Sequence, residues 1–308
     1  MSVDSSLEQW QLACPNCGSR GLAFSGDAAQ CGDCRFVVTR IDGIWRFISE
    51  DRLEHFREFL EKYTKVRVAE GRGSYTPAIL RSLPRCPTVH PLAGQWAIRA
   101  KSYARLAKLF RAQLQPGNRI LDLGAGTGWL CHQLRLQNYE PCAIDLSVDA
   151  YDGLGAAQHF DPPWPRMQAE YDRIPIADET AHAVIFNASF HYCTDQQVVL
   201  EEAIRVLVPG GLIVIVDSPI YARPSSGEQM LEEQQEYFEN LIGERSDSLN
   251  STGFLTWDQF DMLGERLGLE WRFDEPWYGL RWAARPLLSR LRRQREPAAF
   301  AIAWARSR

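Results

Sequence analysis

Three groups of residues in this chain have the types and spacing that chemistry requires. The first is Asp122-Leu-Gly-Ala-Gly-Thr-Gly128, which closes a short apolar run that begins at Ile120 and is interrupted only by Asp122. Such a run reads as a strand buried on both faces of a parallel sheet, and the apolar residues after Gly128 read as a helix. Gly124, Gly126 and Gly128 can take backbone angles closed to other residues, so a ligand can lie against their amides near the positive end of that helix. A dinucleotide fingerprint would need its third glycine at 129, where the chain has Trp129. Asp145 ends the next apolar run, Cys142 to Asp145, at the place where a carboxylate accepts both hydroxyls of a ribose. The spacing suits a nucleoside with a small tail better than a pyrophosphate.

The second group is Cys14-Pro-Asn-Cys17 with Cys31-Gly-Asp-Cys34, two C-x-x-C knuckles separated by thirteen residues. Four thiolates so paired close a tetrahedral zinc shell with no open position, which makes the site structural. A module of this size has little core, and zinc supplies on the order of 10 kcal/mol of folding free energy in comparable folds. Unligated thiols or a redox pair would explain neither spacing. The third group is Asn187-Ala-Ser-Phe-His-Tyr192, which leaves the apolar run Ala183 to Phe186. His191 there is a candidate general base, since its unperturbed pKa lies near neutrality, or else a packing residue.

These groups need elements to hold them. At 308 residues, 45% apolar, the chain is long enough for two domains, or for one large domain with an appendage. Residues 1–48 read as the cysteine module, 49–94 as a connecting helix and lid-like loop, and 95–308 as the ligand-binding domain. Glu50 to Glu70 is amphipathic, with Leu53, Phe56, Leu60 and Tyr63 at helical spacing, and Gly71 to Gly73 ends it. Tyr75 to Leu92, punctuated by Pro77, Pro84, Pro87 and Pro91, reads as loop rather than regular structure. Gln95 to Gln113 is a further helix that delivers the chain to the first strand. Later strands are expected over Met167–Ala169, Ala183–Phe186, Leu212–Val216, Leu269–Phe273 and Ala298–Ala305. Helices are expected over Leu200–Leu207 and Thr256–Leu267, the latter capped by Thr256 and stopped by Gly268.

No run of eighteen apolar residues is present to span a bilayer, and Met1 to Leu12 lacks the basic and apolar regions of a signal peptide. With eight cysteines, four of them scattered singly, reduced thiols and a cytoplasmic location are expected. The net charge of −5 argues against indiscriminate nucleic-acid binding. From Arg281 onward, however, eight arginines face the single acid Glu296. Arg281 to Arg295 is basic and amphipathic, with Trp282, Leu287, Leu288 and Leu291 opposite the arginines, and would suit an anionic lipid head, a phosphorylated carrier or RNA. Residues Arg223 to Thr252 form a polar, acidic, helix-rich insertion, which by composition reads as a solvated face.

In motif order, Gln95 to Arg308 resembles the class I S-adenosylmethionine (SAM) dependent methyltransferases, in the broad group that includes the quinone-biosynthesis enzymes. Ile120 to Leu130 matches the glycine loop, Asp145 the ribose acid, Glu170 to Pro175 the segment beside the adenine, and Arg205-Val-Leu-Val-Pro-Gly-Gly211 the turn before strand five. The resemblance implies a Rossmann-like α/β fold, a seven-stranded, mostly parallel sheet with an antiparallel edge hairpin. It implies SAM contacts from Asp122, Gly124, Ala125, Gly126, Thr127 and Gly128, from Asp145 and Leu146, and from Glu170, Tyr171 and Asn187. Glu170 stands where the family has Asp or Asn. Asn187, His191 and Tyr192 face the methyl group in the family, and Tyr63 or Arg67, with Arg99, closes over the methionine carboxylate. In the family an insertion after strand five commonly covers the substrate, which implies that Tyr221, Met230 and Tyr237 line a pocket. Asn187 to Tyr192 departs from the N-P-P-[FY] motif of amino-group methyltransferases at Ala188 and Ser189, which disfavours amino methylation.

Leu12 to Ile48, including Asp42-Gly-Ile-Trp-Arg-Phe47, resembles the zinc ribbon of the small activator protein that partners tRNA and protein methyltransferases. The leading expectation is methyl transfer to a small-molecule or lipid-linked acceptor. A ribbon-guided RNA or protein methyltransferase and a non-catalytic SAM-binding protein are the alternatives.

Overall fold

The computed structural model describes residues 7, 9–246 and 249–308. The opening residues 1–6 and 8 of the cysteine module, and residues 247–248 of the acidic insertion, lie outside the described residues. The chain begins with four short antiparallel strands, β1 (Leu22–Ser25), β2 (Ala28–Cys31), β3 (Val37–Ile41) and β4 (Ile44–Arg46). Helix α1 (Glu50–Ala69) follows, capped by the Ser49 hydroxyl on the Arg52 amide at 3.4 Å. Within the proline-rich stretch the expected loop contains a helix, α2 (Pro77–Ser82). Thr76 caps it and Pro77 occupies its first turn, where the missing amide costs nothing.

Next come α3 (Ala93–Gln113), β5 (Arg119–Leu123), α4 (Trp129–Leu136), β6 (Glu140–Asp145), β7 (Arg166–Gln168), β8 (Ala181–Asn187), α5 (Gln196–Val206) and β9 (Leu207–Val216). Strand β9 starts earlier than the Leu212 expected, because Pro209-Gly-Gly211 is absorbed as an irregularity in its pairing with β8 rather than as a separating turn. Then follow β10 (Ile220–Tyr221), α6 (Pro224–Ile242), β11 (Leu255–Thr256), α7 (Trp257–Leu267), β12 (Arg272–Asp274), α8 (Leu280–Ala283), α9 (Arg285–Leu291) and β13 (Ile302–Arg306). Helix α7 carries the Thr256 cap as a full capping box with Gln259, and ends at Gly268 with φ 67°.

One sheet takes the order β1-β2-β3-β4-β7-β6-β5-β8-β9-β13-β12. Its section from β7 to β12 is the expected seven-stranded sheet: β7, β6, β5, β8 and β9 run parallel, and β13 is antiparallel to β9 and β12. The first connection climbs one way from β5 and the chain later returns to pair β8 on its other side. That reversal leaves a crevice at the carboxyl ends of β5 and β8.

The sequence left open whether the cysteine module packs on the larger part. It is built into the same sheet. Strand β4 pairs in parallel with β7, Trp45 against Met167 and Arg46 against Gln168, and the Phe47 amide donates to the Gln168 carbonyl at 2.9 Å. Trp45 and Phe47 are buried in the same apolar cluster as Leu121, Ile144 and Met167. Burying an aromatic side chain of this size contributes up to roughly 4–6 kcal/mol. The segment ahead of the cysteines is also anchored: Leu7 and Trp10 join that cluster, and Leu12 bridges Ile176.

Candidate active site

The glycine loop runs from the end of β5 into α4. Gly124, Gly126 and Gly128 have φ of 76°, 54° and 76°, a region in which side chains other than glycine are strained. Two of the three also have close neighbours, which exclude a side chain at Gly124 and crowd one at Gly128. A Cβ on Gly124 would meet Ser189 Cβ at 2.3 Å and Tyr171 Oη at 2.4 Å, and one on Gly128 would approach the Trp164 ring at 3.2 Å. At these two positions the missing side chain lets protein packing close around the loop, a need the ligand-based reading of the sequence did not include. Gly126 meets only the Asp152 carbonyl, at 3.4 Å.

Asp145 stands across from this loop. Its Oδ2 accepts the Gly126 amide at 2.7 Å and its Oδ1 the Ser147 amide at 2.8 Å, so the carboxylate is fixed in place while each oxygen keeps a lone pair. Burial pushes its pKa from 3.8 to about 6, against the lowering by those two amides. Asp122 lies below the loop, fully buried, with Oδ1 unpartnered and its pKa raised to about 7 by burial. The buried Thr127 hydroxyl is likewise without a partner among the described residues.

A cavity of about 500 Å³ opens over this edge, within the range that takes a cofactor-sized molecule. The loop from Gly124 to Thr127, Asp145, Leu146, Glu170, Tyr171, Asn187, His191 and Tyr192 all line it. So do Tyr63, Arg67 and Arg99, which the sequence placed ahead of the loop. Helix α1 forms the opposite wall with Arg52, His55, Phe56, Phe59 and Leu60. Their part in the site was missed in the sequence: the amphipathic spacing marked an apolar face but carried no signal of what that face covers.

Arg52 defines how α1 is held. Its Nη2 donates to Glu170 Oε1 at 2.5 Å and its Nε to both carboxylate oxygens at 3.0–3.1 Å. Glu170 therefore lines the cavity with its carboxylate already engaged by a helix that leads directly from the cysteine module. Arg67 pairs with Asp152 and lies over the Tyr63 ring at 5.1 Å. Arg99 lies over Trp96 at 5.3 Å, faces the cavity, and has no hydrogen bond or ion pair to any described residue. It is a cation available to an anionic ligand group.

On the far side, Ala188 and Asp217 take φ of 57° and 54° as the chain leaves β8 and β9. Asp217 lines the cavity and accepts the Ser102 hydroxyl at 2.5 Å. His191 shares a 3.1 Å hydrogen bond with Ser218, and burial, with Arg99 nearby, pushes its pKa down to about 4. His191 is therefore uncharged at pH 7 and a weaker base than a histidine of ordinary pKa. Tyr192 packs against Phe59 and Tyr63 of α1, with ring centres at 6.2 and 6.1 Å. Tyr221, Met230 and Tyr237 do not line the cavity. Tyr221 and Met230 pack with Phe254 and Ala298 in a separate small cluster, and Tyr237 is exposed. From the acidic insertion, Gln234 and Leu249 reach the cavity instead.

The four cysteines converge. Their sulfurs lie within 4.8 Å of one another, with Cys14 and Cys34 at 3.5 Å and Cys17 and Cys31 at 3.6 Å. Tetrahedral zinc with bonds of about 2.3 Å sets its sulfurs about 3.8 Å apart, so the set fits that ion.

Residues 121–215 match the family described as "Methyltransferase domain". A malonyl-[acyl-carrier protein] O-methyltransferase of Hahella chejuensis is 34% identical over 99 residues, 31% of this chain and 34% of that protein. A demethylmenaquinone methyltransferase of Mycolicibacterium paratuberculosis is 31% identical over 124 residues, 40% and 50% of the two chains. The chain thus spans about a third to a half of the length of these curated relatives. Among solved structures, Haemonchus contortus phosphoethanolamine N-methyltransferase 2 in complex with S-adenosyl-L-methionine aligns over 74% of this chain and 60% of its own at 14% identity, with a TM-score of 0.48. Bacillus subtilis YcgJ aligns over 67% and 99% at 13% identity, with a TM-score of 0.49. The strand order, rather than these likenesses, carries the fold. Residues 121–215 are thus similar to a methyltransferase domain, and they lie in the mostly parallel α/β sheet described above.

Proposed function

We propose that the cavity holds SAM and that the protein transfers its methyl group to a small-molecule or lipid-linked acceptor. The observation that carries this is the pairing of a fixed carboxylate, Asp145, with an uncommitted cation, Arg99, in one cavity beside the glycine loop. Asp145 suits the ribose hydroxyls and Arg99 the methionine carboxylate, while Tyr63 and Arg67, the latter already tied to Asp152, shape the wall between them. The bound cofactor would supply an electrophilic methyl on a sulfonium whose leaving group needs no protonation. Asn187, His191 and Tyr192 would hold the acceptor in line with it, and such positioning contributes roughly 7–11 kcal/mol toward the barrier. Phe56, Phe59 and Leu60 of α1 would exclude water.

With its pKa near 4, His191 is a poor acceptor for a substrate proton at pH 7, and an acceptor that arrives already deprotonated suits this site. The names of the relatives, a malonyl-[acyl-carrier protein] O-methyltransferase and a demethylmenaquinone methyltransferase, support a small-molecule or carrier-linked acceptor. We assign Cys14, Cys17, Cys31 and Cys34 to one structural zinc, and divide the chain into a ribbon (1–48), a connecting region (49–94) and the methyl-transfer domain (95–308). A cytoplasmic location, where Cys86, Cys131, Cys142 and Cys193 stay reduced, completes this reading. Calorimetry with SAM and with its demethylated product tests the cofactor. Transfer of radiolabelled methyl into fractionated cell extract tests the acceptor: label in lipid or polar metabolites supports the reading, and label confined to RNA or protein replaces it with recognition through the ribbon.

A further inference from the structure

We propose that the excursion between β12 and β13 docks the protein on the surface of a bilayer that contains anionic phospholipids. Residues 276–295 hold six arginines and no acid, in a chain whose net charge is −5. The six divide by role. Arg285 lies over Trp282 at 3.8 Å and donates to the Ala298 carbonyl, and Arg295 pairs with Glu233 at 2.8 Å, so these two hold the excursion against the body. Arg281, Arg290, Arg292 and Arg293 are exposed and have no ion pair with any described residue.

Beside these cations the same excursion holds large apolar side chains in water. Trp277 is 66% exposed, Leu280 80%, Leu287 62% and Leu291 73%. Scattered exposed leucines are ordinary, but five large apolar groups within fifteen residues, these four and Leu288, interleaved with free guanidiniums, form a patch. An interfacial bilayer site satisfies both halves: acyl chains take the leucines and tryptophan, and lipid phosphates take the guanidiniums. A recess between α6 and the excursion is lined by Arg285, Arg292, Arg293 and Arg295 and by Glu233, whose charge Arg295 offsets, so three further guanidiniums remain for a headgroup phosphate. RNA would use the arginines and leave the leucines in water. A merely solubilising cover would not expose them.

The excursion is rooted at the cavity. Tyr278 Oη lies 2.9 Å from Ser102 Oγ, which donates to Asp217, and Trp282 packs on Phe300, itself part of the cavity wall. Docking therefore brings the cavity close to the lipid surface. Only this last link, to a lipid-linked acceptor, rests on the function proposed above; the docking does not.

The test is cosedimentation of the full chain with sucrose-loaded vesicles, of phosphatidylcholine alone or in equal mixture with phosphatidylglycerol. Binding is expected to the mixture and not to phosphatidylcholine alone. Each basic residue at an anionic surface strengthens binding about fivefold. The combined Arg281→Ser, Arg290→Ser, Arg292→Ser and Arg293→Ser variant is thus expected to lose at least about a hundredfold. The pair Leu287→Ser and Leu291→Ser is expected to lose at least about tenfold. Equal binding to both vesicle types overturns the proposal. So does an unchanged leucine pair, and if single-stranded RNA then competes with the vesicles, the surface belongs to nucleic acid. Melting temperatures equal to the parent's establish that the variants fold. Vesicle binding without any calorimetric heat from SAM would sink the cofactor reading and leave the docking standing.

Discussion

Removal of the Asp145 carboxylate is the most direct perturbation of the proposed cofactor site. The group is held by the Gly126 and Ser147 amides at 2.7 and 2.8 Å, so its remaining lone pairs point where they do without any cost of ordering on ligand binding. A hydrogen bond to a charged acceptor is worth about 1.5–3 kcal/mol, so two ribose hydroxyls place roughly 3–6 kcal/mol on this side chain. Water entering the truncated site recovers part of that, and the low end, about 3 kcal/mol, corresponds to about a hundredfold loss of SAM affinity in Asp145→Ala. Titration calorimetry at pH 7.5 measures it directly. The pH profile supplies a second reading. Burial holds the carboxyl at about 6 against 3.8, and only the ionised form accepts both hydroxyls, so affinity should be flat above pH 7 and fall by up to about tenfold per unit below 6. For the unliganded fold the sign is opposite. A raised acid pKa contributes stability that is present below 3.8 and lost as pH rises to about 6, so the free protein favours the protonated acid and the complex the ionised one. Asp145→Asn should flatten both profiles. An alanine variant of unchanged melting temperature that binds SAM within about threefold of the parent would refute the assignment.

Three other outcomes follow from the geometry. Arg52→Ala strands the buried Glu170 carboxylate and should lower stability by about 1–2 kcal/mol, discounted because Arg52 is partly exposed; hydrogen exchange should quicken in α1, and adding Glu170→Gln should restore part of the loss. Trp45→Ala, at the junction of β4 with β7, should cost about 3–5 kcal/mol by thermal melting while metal analysis still finds one zinc per chain; Cys31→Ser should abolish that zinc. Histidine NMR should show no titration of His191 between pH 8 and pH 5, because its folded pKa is about 4; its neutral form contributes stability above the ordinary value of 6.5 that is lost as pH falls toward 4.

Much of the donor side was legible residue by residue. The glycine loop, Asp145 and the knuckles are local patterns whose chemistry depends on spacing along one strand, one turn or one C-x-x-C pair, and the structure brings each set together where the spacing required. The acceptor side was far less so. His191 looked like a near-neutral base because its shifted pKa comes from burial and from Arg99, which lies 92 positions away in the chain. Tyr221, Met230 and Tyr237 looked pocket-facing because an insertion after strand five was known to lie nearby, but the turn of α6 that places Gln234 inward is decided by its packing. Glu170 read as an adenine contact, and its pairing with Arg52 spans 118 positions.

By itself the sequence determined the class of sheet, the loop that closes on its first strand, the carboxylate that follows and the four-thiolate cluster, because all of these are set by periodicity and short-range spacing. Only the tertiary structure decided that β4 of the cysteine module continues the sheet that carries the glycine loop, that α1 walls the cavity through Arg52, and that four arginines of the last excursion remain without an ion pair among the described residues. Those outcomes depend on which distant surfaces meet. Backbone hydrogen bonding at an open sheet edge, burial of Trp45 and pairing of a buried carboxylate select the partners by energy, and no local pattern encodes them.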